Sequence, residues 1–372
     1  MIGGLIGNPE EVGMDKTGLD KVLKTLESQV SEGLHTGVQL HVAGKGQTVL
    51  DVAVGNARPG TQMQYDSILA LWSSGKPWTS VAIAQLWESG KISINQTVQN
   101  IIPEFKNGKE TCTIRHILIH AGGFPMLLYP KWLTASWEEI IVDICNETAE
   151  YKPGTQCGYH PRASWVILGE IIRRIDGRRI DDYLREEIFK PLGMDSSYLG
   201  MTKERAMNLD DRLALKDTPD EAEKMHLWIN NFEGRIYPGT NGYSTANDMG
   251  KFYRALWNGG EWDGKRILKE ETIKYFTATH RMGIADLTFS IPNFQIAPDW
   301  GLGFAKGKSS SILCSRDTFG HGGRSSCINF CDPQIDLIVN FNSNTMLPQE
   351  QNLRRRNAII SKIYDACRYK FT

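Results

Sequence analysis

Strand-like and helix-like patterns are segregated along this chain, and that segregation limits its architecture more than any other feature. Period-two alternation occurs near both ends, whereas the middle is dominated by helical spacing. Near the start, Val38, Leu40 and Val42 alternate with other residues, Gly44-Lys45-Gly46 turns the chain, and 49–54 reads as the returning strand of a hairpin. An amphipathic helix is predicted over 15–30, where Leu19, Val22, Leu23 and Leu26 recur at helical spacing. Another is predicted from about 76 to 89, with Pro77 in its first turn and Gly90 just past its end. Helices follow over 114–119, 137–145, 163–175 and 181–189, the third with Trp165, Leu168, Ile172 and Ile175 on one stripe and Gly177 as its stop. Strands return around 301–305, 318–321, 326–331 and 337–342, and a last helix covers roughly 348–366. Two long connections, 202–238 and 277–299, show few periodic features, and connections of that length read as lids or walls of a site.

That order predicts an α/β (α+β) fold: an antiparallel sheet built from both ends of the chain and flanked by amino- and carboxy-terminal helices, with an all-helical domain inserted. The expected boundaries are 1–72 with 239–372 for the discontinuous sheet domain and 73–238 for the helical one, with a site in the cleft between them. The chain's 372 residues leave room for about two domains. Hydrophobic residues at 41% against 23% charged exclude disorder as the dominant state. Lys plus Arg total 42 against 43 for Asp plus Glu, so there is no electrostatic case for nucleic acid or an anionic membrane as partner. That balance fits a small, largely uncharged substrate. No apolar run approaches a membrane span. The apolar start lacks a basic flank and runs into Asn8-Pro9-Glu10-Glu11, which is not a secretory signal. Seven cysteines, without a CxxC pair, are read as reduced thiols of a cytoplasmic protein.

The strongest local signal is Ser73-Ser74-Gly75-Lys76 at the predicted start of a helix, which puts Ser73 and Lys76 one turn apart on one face. A serine hydroxyl is a poor nucleophile until something removes its proton, and a lysine pushed towards the neutral amine can do so. Against this stands a plainer reading, with Ser73 as an N-cap and Lys76 as a solvated first-turn residue. A second segment, 153–161, carries Tyr159, a general acid and base if cations lower its pKa, or else a buried phenol with a satisfied hydroxyl. A third, Phe319-Gly320-His321-Gly322-Gly323-Arg324, sits on a late strand where glycines admit a ligand close to the backbone. There His321 is either part of a site or a satisfied strand histidine.

Together these segments resemble the serine β-lactamase and penicillin-binding-protein family, in the class C-like branch that includes the family VIII carboxylesterases. The resemblance spans nearly the whole chain, through Gly90-Lys91-Ile92-Ser93-Ile94, Ile102-Pro103-Glu104-Phe105, the stretch from Thr113 through His120 to Gly123, Pro191-Leu192-Gly193-Met194 and Gly242-Tyr243-Ser244-Thr245-Ala246. It implies a β-lactamase/DD-peptidase-like fold with Ser73 as acylated nucleophile, Lys76 as its proton-transfer partner and Tyr159 as proton relay. It also sets His321-Gly322-Gly323 where β-lactamases have Lys-Thr-Gly, so that the backbone N–H groups of Ser73 and Arg324 form an oxyanion hole. Neither metal nor cofactor is implied.

Two positions depart from the β-lactamase pattern. Pro161 stands where the second motif has Asn, and His321 replaces the Lys of the third, removing a permanent cation. Both favour hydrolysis of carboxylic esters over β-lactams. The same centre admits alternatives: transfer of the acyl group to an alcohol or amine, amide hydrolysis of the β-lactamase or D-aminopeptidase type, or a catalytically silent binding protein. Tyr129, Trp132, Trp228, Phe232, Phe289, Phe294 and Trp300 are candidates for an apolar pocket, or for ordinary core. His116 and His120 have the spacing of a helical metal pair but no acidic partner, and are read as structural. Arg354-Arg355-Arg356 is read as the solvated face of the last helix.

Overall fold

The structure is a computed structural model that describes residues 1–124, 132, 134–215, 235–284, 299–307, 314–324 and 327–367. Its strands in chain order are β1 (Ile2–Leu5), β2 (Gly37–Gly44), β3 (Gln47–Arg58), β4 (Thr61–Gln62), β5 (Leu69–Trp72), β6 (Tyr198–Leu199), β7 (Gly242–Ser244), β8 (Glu261–Trp262), β9 (Lys265–Arg266), β10 (Ala305–Lys306), β11 (Phe319–Gly323), β12 (Cys327–Asp332) and β13 (Leu337–Ser343). The helices are α1 (Lys16–Ser31), α2 (Lys76–Glu88), α3 (Ile114–Leu118), α4 (Trp137–Asn146), α5 (Ala163–Asp176), α6 (Ile180–Leu184), α7 (Lys203–Leu209), α8 (Ala246–Trp257), α9 (Glu270–Thr277) and α10 (Gln349–Ala366). The main sheet runs β1-β3-β2-β13-β12-β11-β10, all antiparallel, with β4 paired to β3. It is therefore assembled from both ends of the chain, with eight of the described helices, α2 to α9, between the two contributions.

The alternation of β2 decides how the sheet is covered. Val38, Leu40 and Val42 share one core with Leu19, Val22 and Leu26 of α1 and Ile359, Ile360 and Ile363 of α10. Asp15 caps α1 by accepting a hydrogen bond from the Gly18 N–H at 2.7 Å. The opposite face is polar yet buried, because α8 lies on it. Gln39 uses both ends of its amide there: Oε1 accepts from Ala246 N at 2.8 Å and Nε2 donates to Ser67 O at 2.8 Å. Gly250 of α8 sits over the His41 ring, and a Cβ there would collide with it. A larger core joins α2, α5 and the other middle helices to α8 and α9. Within it α2 is buried from Lys76 to Ala84, a helix enclosed on every side rather than amphipathic.

Several expectations change. The apolar start Ile2–Leu5 is the edge strand β1. Residues 301–305 do not form one strand; only Ala305–Lys306 pairs, because the chain turns through Gly303 at φ 82°. The helix expected over 181–189 divides into α6 and a π-helical turn, Arg185–Phe189. Helices α8 and α9 occupy stretches without an assigned element, and α7 lies inside the 202–238 connection. Arg355 is not on a solvated face. It is 1% exposed, and its guanidinium donates to the carbonyls of Leu34 and Thr345 and to Asn352 Oδ1, tying α10 to the loop before β2. No described helix is long and apolar enough to cross a membrane.

Candidate active site

Strand β5 delivers the chain to the site. It pairs with β7 and ends at Trp72, whose φ of 54° is unusual for a residue with a Cβ. The chain then enters a 3-10 turn, Ser73–Gly75, and continues as α2. The residue in the cap position of α2 is Gly75, so the Ser73 hydroxyl is not spent on a cap. Lys76 is 0% exposed, which rules out the solvated first-turn reading.

Lys76 Nζ lies 3.0 Å from Ser73 Oγ, and it donates to Pro161 O at 3.1 Å and Gly239 O at 2.5 Å. Burial first, then the positive charge of Arg162, hold this amine well below the ordinary lysine pKa. In the neutral form two N–H groups serve the two carbonyls and the lone pair faces the Ser73 hydroxyl. Tyr159 Oη donates to the same Ser73 Oγ at 2.7 Å. The condition that cations lower the Tyr159 pKa is not met: burial raises it, and the hydrogen bond to Ser73 offsets this only in part. The nearby lysine is itself stripped of charge by burial, so the phenol keeps its proton.

The third segment lies on β11. Ser74 Oγ donates to His321 O at 2.6 Å, and Asn329 Nδ2 on β12 donates to Ser74 Oγ at 2.8 Å, which joins β11 to the start of α2. Gly323 rests against the Leu71 carbonyl so closely that a Cβ would collide with it. Strand β10 pairs only with Phe319 and Gly320, so from His321 onward that edge of β11 has no strand beside it among the described residues. His321 is 4% exposed; its Nδ1 lies 2.6 Å from Gly322 O and its Nε2 has no partner among the described residues. Burial and the neighbouring Lys76 push its pKa down to about 3, so a neutral imidazole stands at this position. Arg324 follows directly, exposed at the end of β11.

Around Tyr159 the structure gathers Trp300 and His321, both candidates from sequence, together with His120, whose place here was missed. The His120 ring lies 4.6 Å from that of Tyr159 and 5.1 Å edge-on to Trp300, which in turn lies 5.4 Å from His321. His120 accepts a hydrogen bond at Nδ1 from the His160 N–H at 3.3 Å, while His116 Nδ1 accepts from the Thr113 N–H as part of the α3 cap. The two histidines thus serve different backbone groups. Of the pocket candidates, Trp300 is at the site. Trp132 is fully buried and donates to Asp143 Oδ2 at 2.9 Å. Tyr129, Trp228, Phe232, Phe289 and Phe294 lie outside the described residues. A separate cavity of about 370 Å³, lined by Trp137, Gly169, Arg173, Ile180 and Tyr237 among others, shares no residue with the Ser73 cluster.

Three comparisons bear on this arrangement. A family model described as Beta-lactamase matches residues 23–362. A Salmonella agona (strain SL483) protein named "Putative D-alanyl-D-alanine carboxypeptidase" is 25% identical, over 89% of this chain and 84% of its own. A penicillin-binding protein homologue from Caulobacter crescentus superposes with a TM-score of 0.78 at 25% identity, covering 94% of this chain and 99% of that one. A family VIII carboxylesterase does so with a TM-score of 0.79 at 22% identity, covering 95% and 99%.

Proposed function

Because the chain belongs to the Beta-lactamase family of serine hydrolases, we propose that it cleaves carboxylic esters through an acyl-Ser73 intermediate. The observation that carries this reading is the convergence of Lys76 Nζ and Tyr159 Oη on Ser73 Oγ, at 3.0 and 2.7 Å. Lys76 takes the hydroxyl proton as Oγ attacks the ester carbonyl, and a tetrahedral oxyanion forms. The N–H groups of Ser73 and Arg324 are assigned to that oxyanion. When the tetrahedral adduct collapses, the C–O bond to the alcohol breaks. Tyr159 gives its proton to the departing alkoxide, and the proton held by Lys76 replaces it. Water then adds to the acyl carbon, the bond to Oγ breaks, and the acid leaves as Ser73 recovers its proton.

Esters are preferred over β-lactams because the third-motif position carries a neutral imidazole and the second-motif position carries Pro161, which has no side-chain amide. Short-chain p-nitrophenyl esters are expected to be turned over, and Ser73→Ala to lower the rate by several orders of magnitude. A Ser73→Ala enzyme that kept full activity would sink the assignment. Amide hydrolysis is the second reading, favoured by the name of the Salmonella relative. Turnover of nitrocefin or of an acyl-D-alanyl-D-alanine peptide as fast as the best ester would put it first. Product partition with added alcohol separates hydrolysis from acyl transfer.

A further inference from the structure

Charge is balanced over the whole chain but not around Ser73. Arg162 follows Pro161, whose carbonyl accepts from Lys76 Nζ, and it comes three residues after Tyr159. Its guanidinium carbon lies 5.2 Å from the centre of the Tyr237 ring. While the Arg162 carbonyl accepts from the N–H groups of Trp165 and Val166, the guanidinium makes no hydrogen bond and no ion pair among the described residues. This contrasts with Arg173, Arg174, Arg178, Arg179 and Arg185, each of which is paired with a carboxylate. The charges that act on Arg162 include the like-signed Arg324, and Arg162 itself acts on Lys76. No described carboxylate perturbs Lys76, Tyr159, Arg162 or His321. A half-buried guanidinium under the like-signed influence of Arg324, with the Tyr237 ring against it and no acid paired with it among the described residues, is a ready partner for an anion that arrives from outside.

We propose that Arg162 forms an anion subsite beside Ser73 and that the ester cleaved there carries a carboxylate. The inference rests on the reading of Ser73 as the nucleophile. It moves the substrate class from uncharged esters to monoesters of diacids or esters of hydroxy acids. The cation comes from the second-motif side of the site, while the third-motif position holds neutral His321.

The test uses matched esters. p-Nitrophenyl butyrate is compared with p-nitrophenyl hemiglutarate, which adds a carboxylate on the acyl side. Phenyl acetate is compared with m-acetoxybenzoate, which adds one on the alcohol side. The wild-type enzyme should favour at least one charged ester over its neutral parent by about tenfold or more in kcat/KM, and the preference should shrink as ionic strength rises. Arg162→Met should raise KM for the favoured charged ester and lower its kcat/KM at least ~10-fold more than that of the neutral parent, while Arg162→Lys keeps part of the preference. Absence of any preference in the wild type, or equal losses on charged and neutral esters in Arg162→Met, overturns the subsite. Calorimetric titration with glutarate keeps this outcome separate from the hydrolase reading. If no ester is turned over and a phosphonate fails to label Ser73, the hydrolase reading fails. Glutarate binding that disappears in Arg162→Met still supports the subsite, and no binding to the wild type overturns it.

Discussion

Lys76 and a surface lysine share a structure but not a chemistry. With Nζ enclosed and Arg162 pushing in the same direction, the amine is neutral at a pH where a solvated lysine is an ammonium. Ester turnover should therefore rise along a limb well below the ordinary lysine range, as the amine loses its proton. Lys76→Arg, whose guanidinium stays protonated, should lose activity on the order of a thousandfold or more while Ser73 remains in place. A pH–rate profile and the activity of the folded variant check both statements, and an unshifted profile contradicts the first. Tyr159 makes a complementary prediction. Its phenol is held protonated and bonded to Oγ at 2.7 Å, so it serves departing groups that need a proton. Tyr159→Phe should lose roughly 10²–10⁴-fold on an alkyl ester and distinctly less on a p-nitrophenyl ester, whose phenolate leaves unaided. Equal losses on both would assign the tyrosine to positioning instead.

The site exists only if β11 and the start of α2 stay together, and two residues hold them. Gly323 allows β11 to lie on the Leu71 carbonyl, and Ser74 bonds His321 O across the gap at 2.6 Å. Gly323→Ala should push β11 away from Ser73 and lower phosphonate labelling of Ser73 by an order of magnitude or more. Ser74→Ala leaves a buried carbonyl and Asn329 short of a partner, and should destabilise the fold by about 1–3 kcal/mol in chemical denaturation. What was legible from sequence follows the same division between local and long-range order. The α1 stripe, Pro77 and the alternation of Val38, Leu40 and Val42 are local signals, and the elements they announce are present. That Ser73, Lys76 and Tyr159 would meet was legible from the residue types and their order along the chain, and the three side chains are in hydrogen-bond contact. Helix α8 was not, since it lies over the polar face of the sheet and buries Asp248 as well as apolar residues. Arg355 was misread because three arginines in a row look solvated until Leu34 and Thr345 turn out to offer their carbonyls. The direction of the Tyr159 shift was equally hidden, because it depends on burial and not on spacing.

Across the whole molecule, buried imidazoles set the response to acid. His41 lies under α8 with Nε2 at 3.0 Å from Thr48 Oγ1, and burial together with Arg254 pushes its pKa down to about 3. Burial takes His160 to about 4 and His321 to about 3, while His35 and His120 are also held well below the ordinary histidine value. For each, the unfolded chain binds a proton near pH 6.5 and the folded chain does not, so stability is fully present above that pH and is lost as the pH falls towards the folded value. At pH 5 the unfolded state is favoured by about 2 kcal/mol for each such group, on the order of 1.36 kcal/mol per pH unit. Ordinary carboxylates still hold their charge there, so a denaturation midpoint that drops between pH 7 and pH 5 reports the histidines. His41→Gln, a change under α8 and away from Ser73, should flatten that drop while lowering stability at neutral pH through lost packing. Urea titrations of both proteins at the two pH values decide it. An unchanged slope in the variant would show that His41 takes up its proton without unfolding the sheet.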